Sequence, residues 1–150
     1  MTTVSVRRRL VGTLEVALPP AEAFRLFTPR GEEDWVDGWA PRFPDPAADD
    51  TEPGTVFETR AHGRTTTWIV RDRRPGRGMS YARFTPGALA GTVAVDLGPT
   101  ADRPGHSTVT VAYDLTAPCE AARAELDEFA AGYAAFLRSW QDAVADKVLD

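Results

Sequence analysis

From Val4 to Leu18 apolar side chains hold the even positions, with Val4, Val6, Leu10, Leu14, Val16 and Leu18 alternating against Ser5, Arg7, Arg9, Thr13 and Glu15. A period of two describes a long half-buried strand. Arg8 has the apolar parity, so it either sits near a frayed end or points a charge inward. Pro19-Pro20 stops the strand, and Ala21 to Phe27 reads as a short helix with Ala23, Phe24 and Phe27 on one side. A second short turn runs from about Gly31 to Val36. Four prolines between positions 41 and 53, mixed with acids, make residues 41–54 a surface loop long enough to serve as a lid.

Further strands follow: Thr55 to Ala61 and Arg64 to Asp72 around a His62-Gly63 turn, then Met79 to Phe84, Ala88 to Leu97 and His106 to Thr116. Connections this short imply antiparallel neighbours. The pattern then changes period. Leu126, Phe129, Ala130, Tyr133, Phe136, Leu137, Trp140, Val144 and Val148 recur at helical spacing, which predicts one uninterrupted helix from about Pro118 to Val148. Thr116 would be its N-cap, with Pro118 and Glu120 in the first turn. Thirty residues of helix span about 45 Å, so it must lie across the sheet, and a long helix against a curved sheet encloses a hollow.

Composition narrows this picture. The chain of 150 residues fits a single domain over 1–150 with a core that needs no disulfide or metal. One cysteine, Cys119, excludes an intrachain disulfide and suits a reducing compartment, and no membrane span or leader pattern is evident; the expected location is cytoplasmic. A net charge of −5 argues against nucleic acid as a partner. The charge is uneven, with acids crowded between Glu32 and Glu52 and Arg64, Arg71, Arg73, Arg74 and Arg77 crowded on one hairpin. Two solvated surfaces explain this; an acidic-partner site on the hairpin is the alternative.

The order strand, two short helices, antiparallel strands, long C-terminal helix is the helix-grip arrangement, an α+β fold in which a curved antiparallel sheet wraps a long C-terminal helix. The stretch Phe24 to Phe43, with Trp35 and Trp39, then Gly54-Thr55-Val56-Phe57 and Trp68, resembles bacterial proteins of the START-like, Bet v 1-like superfamily, also called SRPBCC or polyketide cyclase-like proteins. The resemblance covers essentially the whole chain. It implies a seven-stranded sheet around a cavity for apolar or amphipathic molecules, the seventh strand coming from a split near Ala88 to Leu97. It implies no shared catalytic set, so fold alone assigns no activity.

Candidate chemistry is sparse. His62 and His106 stand apart without metal-ligand spacing, and Cys119 has no evident base partner. No nucleophile elbow, phosphate loop or dinucleotide fingerprint occurs. The aromatic residues are the informative group. Trp35, Trp39, Phe57, Trp68, Tyr81, Tyr113, Tyr133, Phe136 and Trp140 fall on elements that such a fold gathers around one cavity, with Arg83 as a charged member if its side chain points inward. Arg83 would then hold a carboxylate or polarise a carbonyl, with Tyr81 or Glu58 moving protons.

The expected function is binding of a hydrophobic or amphipathic small molecule, a lipid or an aromatic, polyketide-like compound, without a cofactor and without a catalytic set. A polyketide aromatase/cyclase or dehydratase is the alternative, and a co-chaperone-like interaction module the second. A homodimer is left open by the sequence, as are the ligand and the face of each middle strand that lines the cavity.

Overall fold

The structure, a computed structural model, describes residues 6–46 and 48–149. Six antiparallel strands form one curved sheet in the order β1-β6-β5-β4-β3-β2: β1 Val6–Val16, β2 Val56–Ala61, β3 Arg64–Arg74, β4 Gly78–Phe84, β5 Ala90–Pro99 and β6 Ser107–Ala117. Helix α1, Pro20–Ala23, runs directly into a 3-10 turn at Phe24–Phe27, and a second 3-10 turn covers Gly31–Asp34. The chain ends in α2, Glu120–Ala131, and α3, Tyr133–Leu149. This is the helix-grip fold. None of the described helices is long and apolar enough to cross a membrane. Positions 4 and 5 of the expected first strand lie outside the described residues.

The alternation seen in the sequence is the alternation of burial. Along β6 the odd residues Val109, Val111, Tyr113, Leu115 and Ala117 are buried while their even neighbours are half-exposed. β5 repeats this with Val93, Val95 and Leu97. Together these residues form the concave face that the helices cover. Arg8 lies toward the C-terminal helices, at the sheet end where it reaches Asp127 of α2 at 3.0 Å, so its charge is paired at the rim of the interior.

Four expectations need correction. The terminal helix is interrupted at Gly132, whose φ of −97° and ψ of 7° leave the helical region. Its N–H still reaches the Glu128 carbonyl at 3.1 Å and its carbonyl accepts from Phe136 N–H at 2.9 Å. The two segments therefore abut with a bend, at a residue with no Cβ to favour helix. Thr116 is not the N-cap, because Ala117 still pairs with Val6 in the sheet, and Cys119 takes that place without a side-chain cap. Pro118 accordingly precedes the helix.

β5 is continuous, so no seventh strand arises from a split there. Instead Arg42 makes a single antiparallel bridge with Glu58 on the free edge of β2, with two 2.8 Å backbone hydrogen bonds.

The grip is closest at Gly12 of β1. A Cβ placed there would lie 2.5 Å from Leu137 Cδ1 and 3.4 Å from Tyr133 Cε2 of α3.

Candidate functional site: an aromatic cavity around Arg83

A cavity of about 410 Å³ opens between the sheet and the helices. Its floor is built by strand parity: Phe57 of β2, Trp68 of β3, Tyr81 and Arg83 of β4, Val93 and Val95 of β5 and Tyr113 of β6. Phe129, Phe136 and Trp140 form the roof. Phe129 stands before the bend at Gly132, and Phe136 and Trp140 after it. The third side comes from the segment after α1, through Glu32, Val36 and Trp39, and the β2–β3 turn adds Ala61 and His62 at the mouth.

The segment after α1 is irregular, and indole hydrogen bonds fix it. Trp35 Nε1 donates to the Leu26 carbonyl and Trp39 Nε1 to the Pro29 carbonyl, each at 2.7 Å. Gly31 permits the turn between them, since a Cβ there would lie 1.8 Å from the Arg25 carbonyl oxygen. Trp39 then packs edge-on against Phe57 and Trp68, whose rings stack parallel at 5.8 Å, and Tyr81 meets both edge-on. On the opposite wall Tyr113, Phe129 and Phe136 interlock at centroid distances of 5.1 to 6.2 Å. Edge-to-face contacts of this kind make rigid, flat-sided walls.

The polar groups are few. Tyr81 Oη donates to the Phe27 carbonyl at 3.2 Å, and Trp68 Nε1 to Thr59 Oγ1 at 2.9 Å. The Tyr113 hydroxyl makes no hydrogen bond among the described residues. Arg83 lies with its guanidinium 5.2 Å from the Trp68 ring centre and donates through Nη2 to Thr85 Oγ1 at 3.1 Å. Its Nε is buried without an acceptor.

Electrostatics follow from enclosure. Burial draws the Arg83 guanidinium below its ordinary value, opposed by Tyr113 and Glu125 and assisted by Arg64. Glu32 is half-exposed as a residue, but its carboxyl is enclosed, and desolvation raises it well above the usual carboxylate range. Burial also raises Tyr81, with lesser contributions from Glu32 and Asp50, and raises Tyr113, where Glu32 adds and Arg83 opposes. At neutral pH both phenols keep their protons; Tyr81 spends its own on the Phe27 carbonyl, which leaves the Tyr113 hydroxyl as a donor in the cavity beside Arg83.

Of the residues singled out from the sequence, Trp39, Phe57, Trp68, Tyr81, Arg83, Tyr113, Phe136 and Trp140 line this cavity. Trp35 and Tyr133 do not. Trp35 is buried behind Phe27 and Trp140, at 5.3 and 5.1 Å. Tyr133 turns its hydroxyl to the Val111 carbonyl at 2.7 Å, under Tyr113. Glu58 also stays outside: Phe57 takes the inward parity of β2, and Glu58 pairs with Arg42. It is therefore no proton carrier for the cavity.

Residues 41–54 do not line the cavity either. Among the described ones, Arg42 is tied to Glu58 of β2 and Asp49 to Arg73 of β3, and Val36 and Trp39 line the cavity on that side.

One ion pair, Asp49 to Arg73, joins the acid-rich segment to the arginine hairpin. Arg64 pairs with Glu125 and Arg74 with Asp96, which leaves Arg71 and Arg77 as the hairpin arginines without an ion pair among the described residues. No cluster of metal-ligating side chains occurs among the described residues. His62 sits at the mouth, and His106 lies 3.5 Å from Glu15 at the other end of the sheet. Glu32, Val36, His62, Val93, Val95 and Phe129 are further lining residues, of which Phe129 belongs to the apolar stripe of the last helix.

No family model and no curated protein sequence matches the chain. Solved structures do. Norcoclaurine synthase from Thalictrum flavum superposes with a TM-score of 0.69 at 11% identity, covering 100% of this chain and 98% of that one. Protein MLL2253 from Mesorhizobium loti gives 0.66 at 19% identity, over 91% and 96% of the two chains. DynU16, from the dynemicin biosynthetic locus, gives 0.62 at 18% identity over 89% of this chain and 46% of its own. At such identities it is the backbone that is shared, and on that ground the chain adopts the Bet v 1-like, START-like helix-grip fold.

Proposed function

We propose that this chain, acting as one domain over 1–150, binds a hydrophobic or amphipathic small molecule of aromatic or polyketide-like shape in the cavity between sheet and helices. The observation that carries this reading is the cavity itself: about 410 Å³, with flat aromatic walls and few polar groups. That volume lies within the ~300–1,000 Å³ of pockets that enclose drug-sized ligands. Packing has not closed it, although Phe57, Trp68 and Trp140 are large enough to fill a core. The fold shared with norcoclaurine synthase and DynU16 supports a small-molecule role.

Native mass spectrometry of the purified protein, beside an organic extract of the same sample, tests the reading. A reproducible added mass that is lost on denaturation is the expected result. A bare protein that also fails to quench its tryptophan emission with 2-naphthoate, naphthalene and oleate would sink it, since Trp39, Trp68 and Trp140 all face the cavity.

One observation favours a second reading, acid-catalysed ring closure or dehydration of a polyketide-like chain. Glu32 is an enclosed carboxyl that stays protonated above the usual range, in the same cavity as Arg83. A carboxylic acid can give a proton to a departing hydroxyl while a guanidinium polarises the neighbouring carbonyl, and the carboxylate so formed can take the α-proton, leaving water and a carbon–carbon double bond. Glu32→Gln would then abolish turnover of a poly-β-ketone substrate while leaving its binding unchanged; retained turnover would exclude the reading.

A further inference from the structure

Arg83 is a cation without a counterion. No carboxylate of the described residues pairs with it, and of its nitrogens only Nη2 is hydrogen-bonded, to the neutral hydroxyl of Thr85. The charged groups whose fields reach it are otherwise engaged. Glu125 of α2 is held by Arg64 at 2.8 Å, and Arg64 itself repels Arg83. Glu32, which lines the same cavity, forms no ion pair with Arg83, and desolvation raises that carboxyl well above the usual carboxylate range. The face of Trp68 compensates in part, at 5.2 Å. Arg83 as a residue is half-buried, but its Nε is fully enclosed with no acceptor, and an enclosed donor of a charged group is costly to leave unpaired. A ligand can supply the missing anion.

We propose that the bound molecule carries a carboxylate, or an equivalent oxyanion, held by the Arg83 guanidinium with the Tyr113 hydroxyl as second donor, while its flat apolar body lies among Trp39, Phe57 and Trp140. This rests on the cavity being a binding site, and it specifies the ligand as an aromatic acid rather than a neutral lipid or hydrocarbon. Both donors are in place before binding. The Tyr113 hydroxyl is uncommitted, and its phenol remains protonated at neutral pH. Charge-assisted hydrogen bonds formed out of water are the strong ones, so ionised and neutral forms of one scaffold should be well separated in affinity.

The test is isothermal titration calorimetry at about pH 7, where a free carboxylic acid is ionised, with 2-naphthoate and its neutral isostere 2-naphthamide. Wild type should bind the acid at least about tenfold more tightly than the amide. Arg83→Met keeps an apolar stem over Trp68; it should erase that preference, the acid losing at least about tenfold more affinity than the amide. Equal binding of acid and amide by wild type, or a preference that survives in Arg83→Met, overturns the assignment and leaves the cavity reading intact. Failure of both probes to bind overturns the assignment, and the cavity reading falls with it where naphthalene and oleate also fail and no added mass copurifies.

A second measurement needs no folded Met variant: the Arg83 Nε–H resonance, assigned by its loss in Arg83→Lys, should shift when wild type is saturated with 2-naphthoate. An unmoved resonance overturns the proposal.

Discussion

Gly12→Ala tests whether the helix grips the sheet as closely as the structure has it. The new Cβ would lie 2.5 Å from Leu137 Cδ1, at least about 1 Å inside the ~3.5–4.0 Å of comfortable carbon contact. Leu137 has little room to retreat, because it is 4% exposed. Tyr133 beside it is held by its hydrogen bond to the Val111 carbonyl. Overpacking of this kind costs about 1–3 kcal/mol. Against it stands the gain from replacing glycine inside a strand, about 0.5–1 kcal/mol. The two effects have opposite signs, so the sign of the result decides between them. We expect a net loss of about 1–2 kcal/mol, which for a chain of this length lowers the melting temperature by about 2–8 °C. Urea denaturation with an unchanged m-value would confirm that the native state, not the compactness of the unfolded one, was altered. Placing Gly12→Ala in a Leu137→Ala background removes the obstacle, and there the alanine should be neutral or stabilising. A single variant as stable as wild type, or an equal effect in both backgrounds, would refute a close approach of α3 at Gly12.

Three other predictions concern the cavity and its rim. Because the folded-state pKa of Glu32 is raised, the native state holds a proton that the unfolded chain has released, and stability falls as pH rises from about 4.5 through the folded value. Glu32→Gln should match wild type in acid and gain on it toward neutrality; parallel urea midpoints across that range would refute an enclosed carboxyl. Tyr133→Phe should lose about 1 kcal/mol with its hydrogen bond to Val111 and leave ligand affinity alone. Tyr113→Phe should keep its stability within about 0.5 kcal/mol and weaken 2-naphthoate binding, and reversal of the pair in calorimetry would show the two tyrosines misassigned. The Arg64 and Glu125 side chains are 45% and 38% exposed, so a double-mutant cycle should give a coupling below about 1 kcal/mol that salt removes. A larger, salt-resistant coupling would mean that this rim is more enclosed than the structure has it.

The strands were readable because one face of each is buried. β6 shows this most clearly: its alternation in sequence is its alternation of burial, residue for residue. Where the reading failed, a local pattern was outweighed by something distant. The apolar stripe of the last helix passes straight through Gly132, since Leu126, Phe129, Tyr133 and Phe136 keep their spacing on both sides. One glycine costs a helix only about 1 kcal/mol, too little to mark a break against so continuous a stripe. Thr116 looked like an N-cap by type, but the ladder to Val6 carries β6 through Ala117 and displaces the cap to Cys119. Ladder pairing with a strand a hundred residues away leaves no local trace.

The site was half legible, and the missing half has a periodicity of its own. On β4 Tyr81 and Arg83 share parity, so an inward Tyr81 brings Arg83 with it. On β2 the choice between Phe57 and the Val56, Glu58, Arg60 face is settled by composition: the face with two charges turns out, even though Val56 is left 39% exposed. Glu32 was hidden by its neighbours, because it stands in a run of acids that reads as solvated surface. Yet Glu32, Val36 and Trp39 are spaced four and three apart, the spacing of one helical face, and all three line the cavity. An acid in register with two apolar residues in a segment with helical turns is set apart from Glu33 and Asp34, which are exposed. That register places a carboxyl where desolvation raises it well above the usual carboxylate range, in a cavity whose arginine has no carboxylate partner among the described residues. Glu32 and Arg83 line one cavity without an ion pair between them among the described residues, so under our proposal it is the arginine's unmatched charge that selects the ligand.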